Sequence, residues 1–414
     1  MDSIHIRGGY PLYGSVRVQG SKNAVLPILA ATVLVEGKVT LCNCPRIADV
    51  LCMVKLLRSV GCHVEQEGSR ITVDASCVSE SSLPEHYVTQ MRSSAIMMGA
   101  VLGRKGQVSI SYPGGCVIGK RPIDMHLQAF SCLGASFAEE GAELTVWAER
   151  LRGSEIRLAF PSVGATENSI LAAVLAEGET VIRNAAREPE IRALCEFLVC
   201  AGADIRRERE GAQIRIRGVK KLSPCKYRIP FDRIVAGTYL LGAMAAGGRI
   251  RLTEADAGEL TAVLSVIRQM GGICDWDGSE IRLQAPERPK AIPYIRTAVY
   301  PGYPTDLQSQ LLAVLALAEG ESVVEETIFE NRFRTVPELA KMGACIEVQQ
   351  SCARINGVRE LQGAHVEARE LRGGAALCMA ALAAKGDTYI TGRRFIDRGY
   401  ETLEQDIRSL GGRI

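Results

Sequence analysis

The sequence lacks most of the signatures by which common enzyme classes show themselves. There is no G-x-x-x-x-G-K-[ST] loop, so phosphate recognition of the P-loop kind is excluded. There is no G-x-S-x-G elbow and no H-E-x-x-H, and the five histidines are scattered, which removes the support for a serine hydrolase or a zinc protease. Apolar runs such as residues 311–318 fall far short of the ~20 residues a membrane helix needs. The opening MDSIHIRGGYPLYG has no charged segment followed by an apolar one; no secretory leader is expected, and the expected location is the cytoplasm. Aromatics make up 5% and the net charge is +2, so neither stacking surfaces nor a global field point to nucleic acid or an anionic membrane. Cysteine is plentiful, at 14, but no C-x-x-C pair occurs. Cys42 and Cys44 with Cys62 and His63 make a weak zinc pattern, so no metal is expected and the cysteines read as free thiols.

What is present is repetition. A chain of 414 residues with 47% hydrophobic and 23% charged residues is globular and fits two domains or more. A unit of apolar helix, glycine, strand, polar loop, second helix and glycine starts near Lys22, Arg92, Thr166, Asp232, Asp306 and Arg372. Gly37, Gly106, Gly178, Gly248, Gly320 and Gly386 punctuate the first helices, and Gly61, Gly134, Gly202, Gly271, Gly343 and Gly411 the second. Glycine just past a helix is a common stop because it accepts positive φ. The first helices are apolar nearly all round, as buried helices are, whereas the second carry one apolar stripe. Strands such as Thr180-Val181-Ile182-Arg183 alternate, as half-buried strands do. Six units divide most simply into two domains of three.

The chemistry gathers at loops and helix starts. In YPGGCVIGKRPID (112–124), Cys116 lies among Gly114, Gly115 and Gly119, with Lys120 and Arg121 following. Nearby cations stabilise a thiolate, and glycines allow wide backbone excursions, so the stretch reads as a reactive cysteine on a flexible loop. A Gly-rich turn with an exposed cysteine is the alternative reading of this stretch alone. Lys22-Asn23, Arg92, 164–166, Asp232-Arg233, Asp306 and Arg372 stand where the buried helices begin, and helix N-termini attract anions. Together they describe an anion-binding set poor in carboxylates, Asp306 excepted. A carboxylate among cations is expected to be ionised and able to accept a proton from a hydroxyl; capping is its alternative role.

The motifs GSKNAVLPILAA (20–31), PGGCVIGKRPID (113–124), PSVGATEN (161–168), NAAREPEI (184–191), YPTDLQSQ (303–310), FENRF (329–333) and FIDRGYE (395–401) resemble the UDP-N-acetylglucosamine 1-carboxyvinyltransferases, a family of enolpyruvyl transferases. The resemblance runs in order over the whole chain. It implies an α/β fold of two inside-out α/β barrel domains, each of three repeats with buried helices and outer mixed sheets. Residues 22–229 would form the domain carrying the cysteine loop, residues 1–21 would join 230–414, and the active site would lie in the cleft between the two domains. The implied reaction moves the enolpyruvyl group of phosphoenolpyruvate to the 3′-hydroxyl of UDP-N-acetylglucosamine with loss of phosphate, without cofactor or metal. It opens peptidoglycan synthesis. The implied partners are these two substrates and neither nucleic acid nor membrane.

By position in the matching motifs, Cys116 corresponds to the general acid that fosfomycin alkylates, and Asp306 to the favoured base. Lys22, Arg121 and Arg398, with Asn23, correspond to the groups holding phosphate and carboxylate. Arg92, Arg332, Glu370 and Arg372 correspond to further substrate-binding positions. Arg121, Pro122, Ile123, Asp124 and Met125, with Ser162, Val163, Gly164 and Ile328, correspond to nucleotide-sugar contacts. Glu370 replaces the family's usual Asp, and Phe231 and Val235 replace what is commonly Pro and a polar residue. These departures motivate the alternative of a low-activity paralogue with a binding or regulatory role. A third reading, transfer to shikimate 3-phosphate, is disfavoured by the cysteine in the PGGC loop.

Overall fold

The computed structural model describes residues 3–114, 123–208 and 211–414. They fall into two compact units, one of residues 20–114 and 123–230, the other of residues 3–19 and 231–414. Each has its own apolar core.

In the first unit the buried helices are Lys22–Ala31, Met97–Lys105 and Val163–Ala173. Ser21 and Ser162 cap the first and third, each hydroxyl accepting an amide of the first turn at 3.2 and 3.3 Å. In the second unit they are Arg233–Ala246, Gln308–Leu315 and Leu371–Ala383. Their small residues let helices approach closely. A Cβ on Gly99 would come within 2.6 Å of the Asn168 carbonyl oxygen, and one on Gly242 within 2.2 Å of Met379 Sδ.

Strand pairing links the repeats into rings. The strand after each buried helix pairs parallel with a strand arriving from another repeat: Gln107–Ser111 with Ser82–Leu83, and Glu179–Arg183 with Glu155–Arg157. The ring closes when Lys226–Arg228 pairs with Lys38–Cys42. In the second unit Tyr294–Arg296 pairs with Glu321–Glu325 and His365–Glu367 with Gly386–Thr391. Here the opening of the chain completes the ring. Leu12–Arg17 pairs parallel with Gly248–Thr253, and Ser3–Gly8 lies antiparallel to Gly386–Thr391, where other repeats use a strand of their own.

All twelve repeat glycines have positive φ, from 73° to 119°. The helix-stop reading of the first set needs correction. Only Gly106 caps its helix; the other five stand at or directly before the following strand. After Lys22–Ala31, for example, a 3-10 turn Thr32–Leu34 ends the helical path, and Gly37 turns the chain into Lys38–Cys42.

Candidate active site

In the second unit the start of the fifth buried helix holds a cluster of buried and half-buried charges. Pro304 leads into a 3-10 turn, Thr305–Leu307, which presents Asp306. One carboxylate oxygen accepts from Arg332 at 2.6 Å, the other from Arg372 at 2.7 Å. The arginine side chains are 2% and 4% exposed while that of Asp306 is 26% exposed, so the carboxylate faces outward over two buried guanidiniums. Burial alone would pull Arg372 down, but Asp306, with Tyr400 and Asp232, holds it above its ordinary value.

Glu370 belongs to the same arrangement. It caps the helix Leu371–Ala383: one oxygen accepts from the Arg372 amide at 2.8 Å, the other from the Gly373 amide. The first also lies 3.8 Å from Arg332. The longer side chain therefore still reaches the helix end, and fixing the Arg372 backbone helps aim its guanidinium at Asp306. The other two departures sit differently: Val235 is fully buried in the core with its amide donating to Asp232, and Phe231 is half-buried. Arg398, half-buried, follows the short helix Arg393–Ile396.

In the first unit Lys22 opens its helix, and its ammonium lies 2.9 Å from Asp49 in the first turn of the helix Ala48–Ser59. Both side chains are nearly out of solvent, at 11% and 5% exposure. Asn23, beside Lys22, is half-buried. Arg92 begins a 3-10 turn, Arg92–Ile96, and donates to the Pro113 carbonyl at 3.3 Å. Cys116, Arg121 and Pro122 lie outside the described residues. Ile123 is buried; Asp124 and Met125 start the helix Asp124–Cys132, exposed and half-buried respectively. Ser162, Val163 and Gly164 form the start of their helix, and Gly164 lies against the His126 ring. The Nδ1 of His126 meets the Asn168 amide nitrogen at 2.7 Å; because the Asn168 oxygen accepts from the Gly99 amide, its nitrogen donates and His126 carries its proton on Nε2.

The structure thus brings Asp306, Arg332, Glu370 and Arg372 together in one unit, and sets Lys22 beside Asp49 in the other. The picture of a set poor in carboxylates needs revision, because Asp49, Glu370 and Asp232 all stand at or beside these helix starts. Asp49, His126 and Glu326, whose carboxylate accepts from the Thr305 hydroxyl at 3.0 Å, escaped sequence reading: each meets a partner 20 residues or more away. The thirteen described cysteines are free, and burial pushes Cys44, Cys62, Cys195 and Cys378 up to about 12, where they stay protonated. Among the described residues no three His, Cys, Asp or Glu side chains group as metal ligands, and no helix is long and apolar enough to cross a membrane.

The sequence profile of the EPSP synthase (3-phosphoshikimate 1-carboxyvinyltransferase) family matches residues 6–407. A protein of Caldanaerobacter subterraneus subsp. tengcongensis named UDP-N-acetylglucosamine 1-carboxyvinyltransferase 2 is 47% identical over 100% of this chain and 99% of its own. One of Acinetobacter baylyi named UDP-N-acetylglucosamine 1-carboxyvinyltransferase is 43% identical with the same coverage. In fold, the chain is similar to the enolpyruvyl transferase NikO from Streptomyces tendae, at a TM-score of 0.88 and 24% identity, covering 99% of this chain and 97% of that one. The chain belongs to the enolpyruvyl transferase family, in the group of the UDP-N-acetylglucosamine 1-carboxyvinyltransferases.

Proposed function

We propose that this enzyme transfers the enolpyruvyl group of phosphoenolpyruvate to the 3′-hydroxyl of UDP-N-acetylglucosamine with release of phosphate, the first committed step of peptidoglycan synthesis, in the cytoplasm. The observation that carries this reading is Asp306, a partly exposed carboxylate backed by two buried guanidiniums. The hydroxyl oxygen adds to C2 of phosphoenolpyruvate as its proton passes to Asp306. Cys116, as general acid, delivers a proton to the methylene carbon, giving a tetrahedral ketal. Loss of phosphate and of a proton from the methyl carbon then restores the enol ether. Lys22, Asn23, Arg121 and Arg398 hold phosphate and carboxylate, with Arg92, Arg332, Glu370 and Arg372 supporting the substrates. Residues Arg121, Pro122, Ile123, Asp124, Met125, Ser162, Val163, Gly164 and Ile328 seat the nucleotide sugar. Fixed cations stabilise the negative charge that gathers on phosphate as it leaves.

The test is phosphate release from phosphoenolpyruvate with UDP-N-acetylglucosamine, for wild type and Cys116→Asp, with and without fosfomycin. Release that fosfomycin abolishes only in the wild type supports the reaction and the role of Cys116. Nucleotide-sugar binding without release would sink the reading in favour of a binding paralogue.

A further inference from the structure

In two repeats the residue that follows the central strand has the same job, and in the fifth repeat the residue at that place does something else. After Lys38–Cys42 and Glu179–Arg183 come Asn43 and Asn184, both at positive φ, 61° and 55°. Each uses its side-chain amide to hold the carbonyl just beyond the parallel strand, Ile229 and Leu158 respectively, at 2.9 Å. The corresponding carbonyl in the fifth repeat is that of Thr297, whose amide donates to Glu325 as those of Ile229 and Leu158 do to Cys42 and Arg183. That carbonyl is held instead by the Thr327 hydroxyl at 2.7 Å. Residue 326, relieved of the lacing role and not at positive φ, is a glutamate only 3% exposed.

Its carboxylate binds in two directions. One oxygen accepts from the Ile328 and Phe329 amides at 2.8 and 3.1 Å; the other accepts from the Thr305 hydroxyl at 3.0 Å. Thr305 directly precedes Asp306, and its carbonyl accepts from the Nε of Arg332, whose guanidinium also holds Asp306. Burying a carboxylate is costly unless its bonds are made, and here each bond falls beside a residue assigned to substrate.

We propose that Glu326 is a positioning residue of the transfer reaction, holding the proton acceptor Asp306 and the nucleotide-sugar contact Ile328 in one register. The proposal rests on the functional reading above. Glu326 touches no reacting atom; it acts through the two segments it ties together. Losing it shifts the Ile328 segment, which weakens the nucleotide sugar, and the Thr305 turn, which misaims Asp306. The site for phosphoenolpyruvate is served by other residues.

Steady-state kinetics on three variants, with calorimetric titration of UDP-N-acetylglucosamine, test this. Glu326→Ala is expected to lower kcat about tenfold and raise the KM for the nucleotide sugar about fivefold, with the KM for phosphoenolpyruvate within about twofold of wild type. Glu326→Gln, whose amide oxygen still accepts from two amides, should recover most of the nucleotide-sugar KM. Thr305→Val cuts only the link toward Asp306 and should lower kcat several-fold with that KM unchanged. This variant keeps the proposal open to disproof where Glu326→Ala does not fold. Wild-type kcat in Thr305→Val, or a Glu326→Ala loss shared equally by both substrates' KM values, overturns the coupling. An active wild type with unchanged variants overturns this proposal alone; a wild type that neither turns over nor binds the nucleotide sugar overturns the functional reading with it.

Discussion

The two units are built from the same repeat, yet they set charge at their helix starts in opposite ways. Residues 20–230 present a cation, Lys22, steadied by the carboxylate of Asp49; residues 231–414 present a carboxylate, Asp306, steadied by the guanidiniums of Arg332 and Arg372. A buried charge needs a partner, and which member of the pair is left nearer the solvent decides what the site offers a ligand. Lys22 is the more exposed member of its pair, at 11% against 5%, and Asp306 is clearly the more exposed member of its group. One arrangement suits holding an anion, the other receiving a proton.

The largest effect is expected at Asp306. Asp306→Asn keeps the shape while removing the proton acceptor, so phosphate release should fall on the order of 10²–10⁴-fold, and because the amide carries no counter-charge for the buried guanidiniums the urea midpoint should fall as well. Asp306→Ala should show the same loss of turnover and destabilise by about 3–5 kcal/mol, because buried guanidiniums lose counter-charge.

In the other unit the corresponding experiment is a double replacement. Lys22→Met leaves the Asp49 carboxylate buried without its ammonium, and urea unfolding should show a loss of about 3–5 kcal/mol. Lys22→Met with Asp49→Leu should return to within about 1 kcal/mol of wild type, since matched apolar groups replace buried ion pairs well, while activity stays lost. A double variant no more stable than the single one would mean that the pair matters less than its surroundings.

A third difference lies in how the buried helices meet. A Cβ at Gly99 collides with the Asn168 backbone, which cannot yield, whereas one at Gly242 meets the end of the flexible Met379 side chain. Gly99→Ala should therefore cost about 3 kcal/mol and Gly242→Ala about 1 kcal/mol in thermal or urea unfolding. Equal costs would show that both contacts relax alike.

The smallest effect is expected at Glu254, which follows the central strand of the fourth repeat at φ 57°, where Asn43 and Asn184 stand elsewhere. Asparagine tolerates this conformation better. The exposed Arg17–Glu254 pair that would be lost is worth at most about 1 kcal/mol and fades with salt. Glu254→Asn should thus stabilise by about 0.5 kcal/mol, and by more at high ionic strength.

What could be read from the sequence follows from range along the chain. The repeat was legible because its glycines answer a local demand, and all twelve have positive φ. The buried helices were legible because they are apolar on every face. Asp306 was legible through its place at a helix start; its two arginines became visible as a group only once folding brought residues 306, 332 and 372 together. Asp49 and Glu326 look like ordinary surface acids in the sequence, and their burial and their bonds to Lys22 and Thr305 became visible only with the fold. Glu370 looked like a disturbance, and the structure shows a helix cap that its extra methylene does not prevent.

The closure of the second ring by Ser3–Gly8 and Leu12–Arg17 bears on the order of folding. Residues 20–230 are contiguous, so their ring can form while the ribosome is still making the rest. The other ring uses strands made first against Gly248–Thr253 and Gly386–Thr391, the latter made near the end of synthesis. Its earliest strands must wait through most of translation, their pairing edges open, for partners some 240 and 380 residues downstream. Closing so long a loop is slow. A circularly permuted chain beginning near residue 231, with residues 1–19 moved behind residue 414, would make this ring contiguous and should fold it faster without altering a single contact in its core.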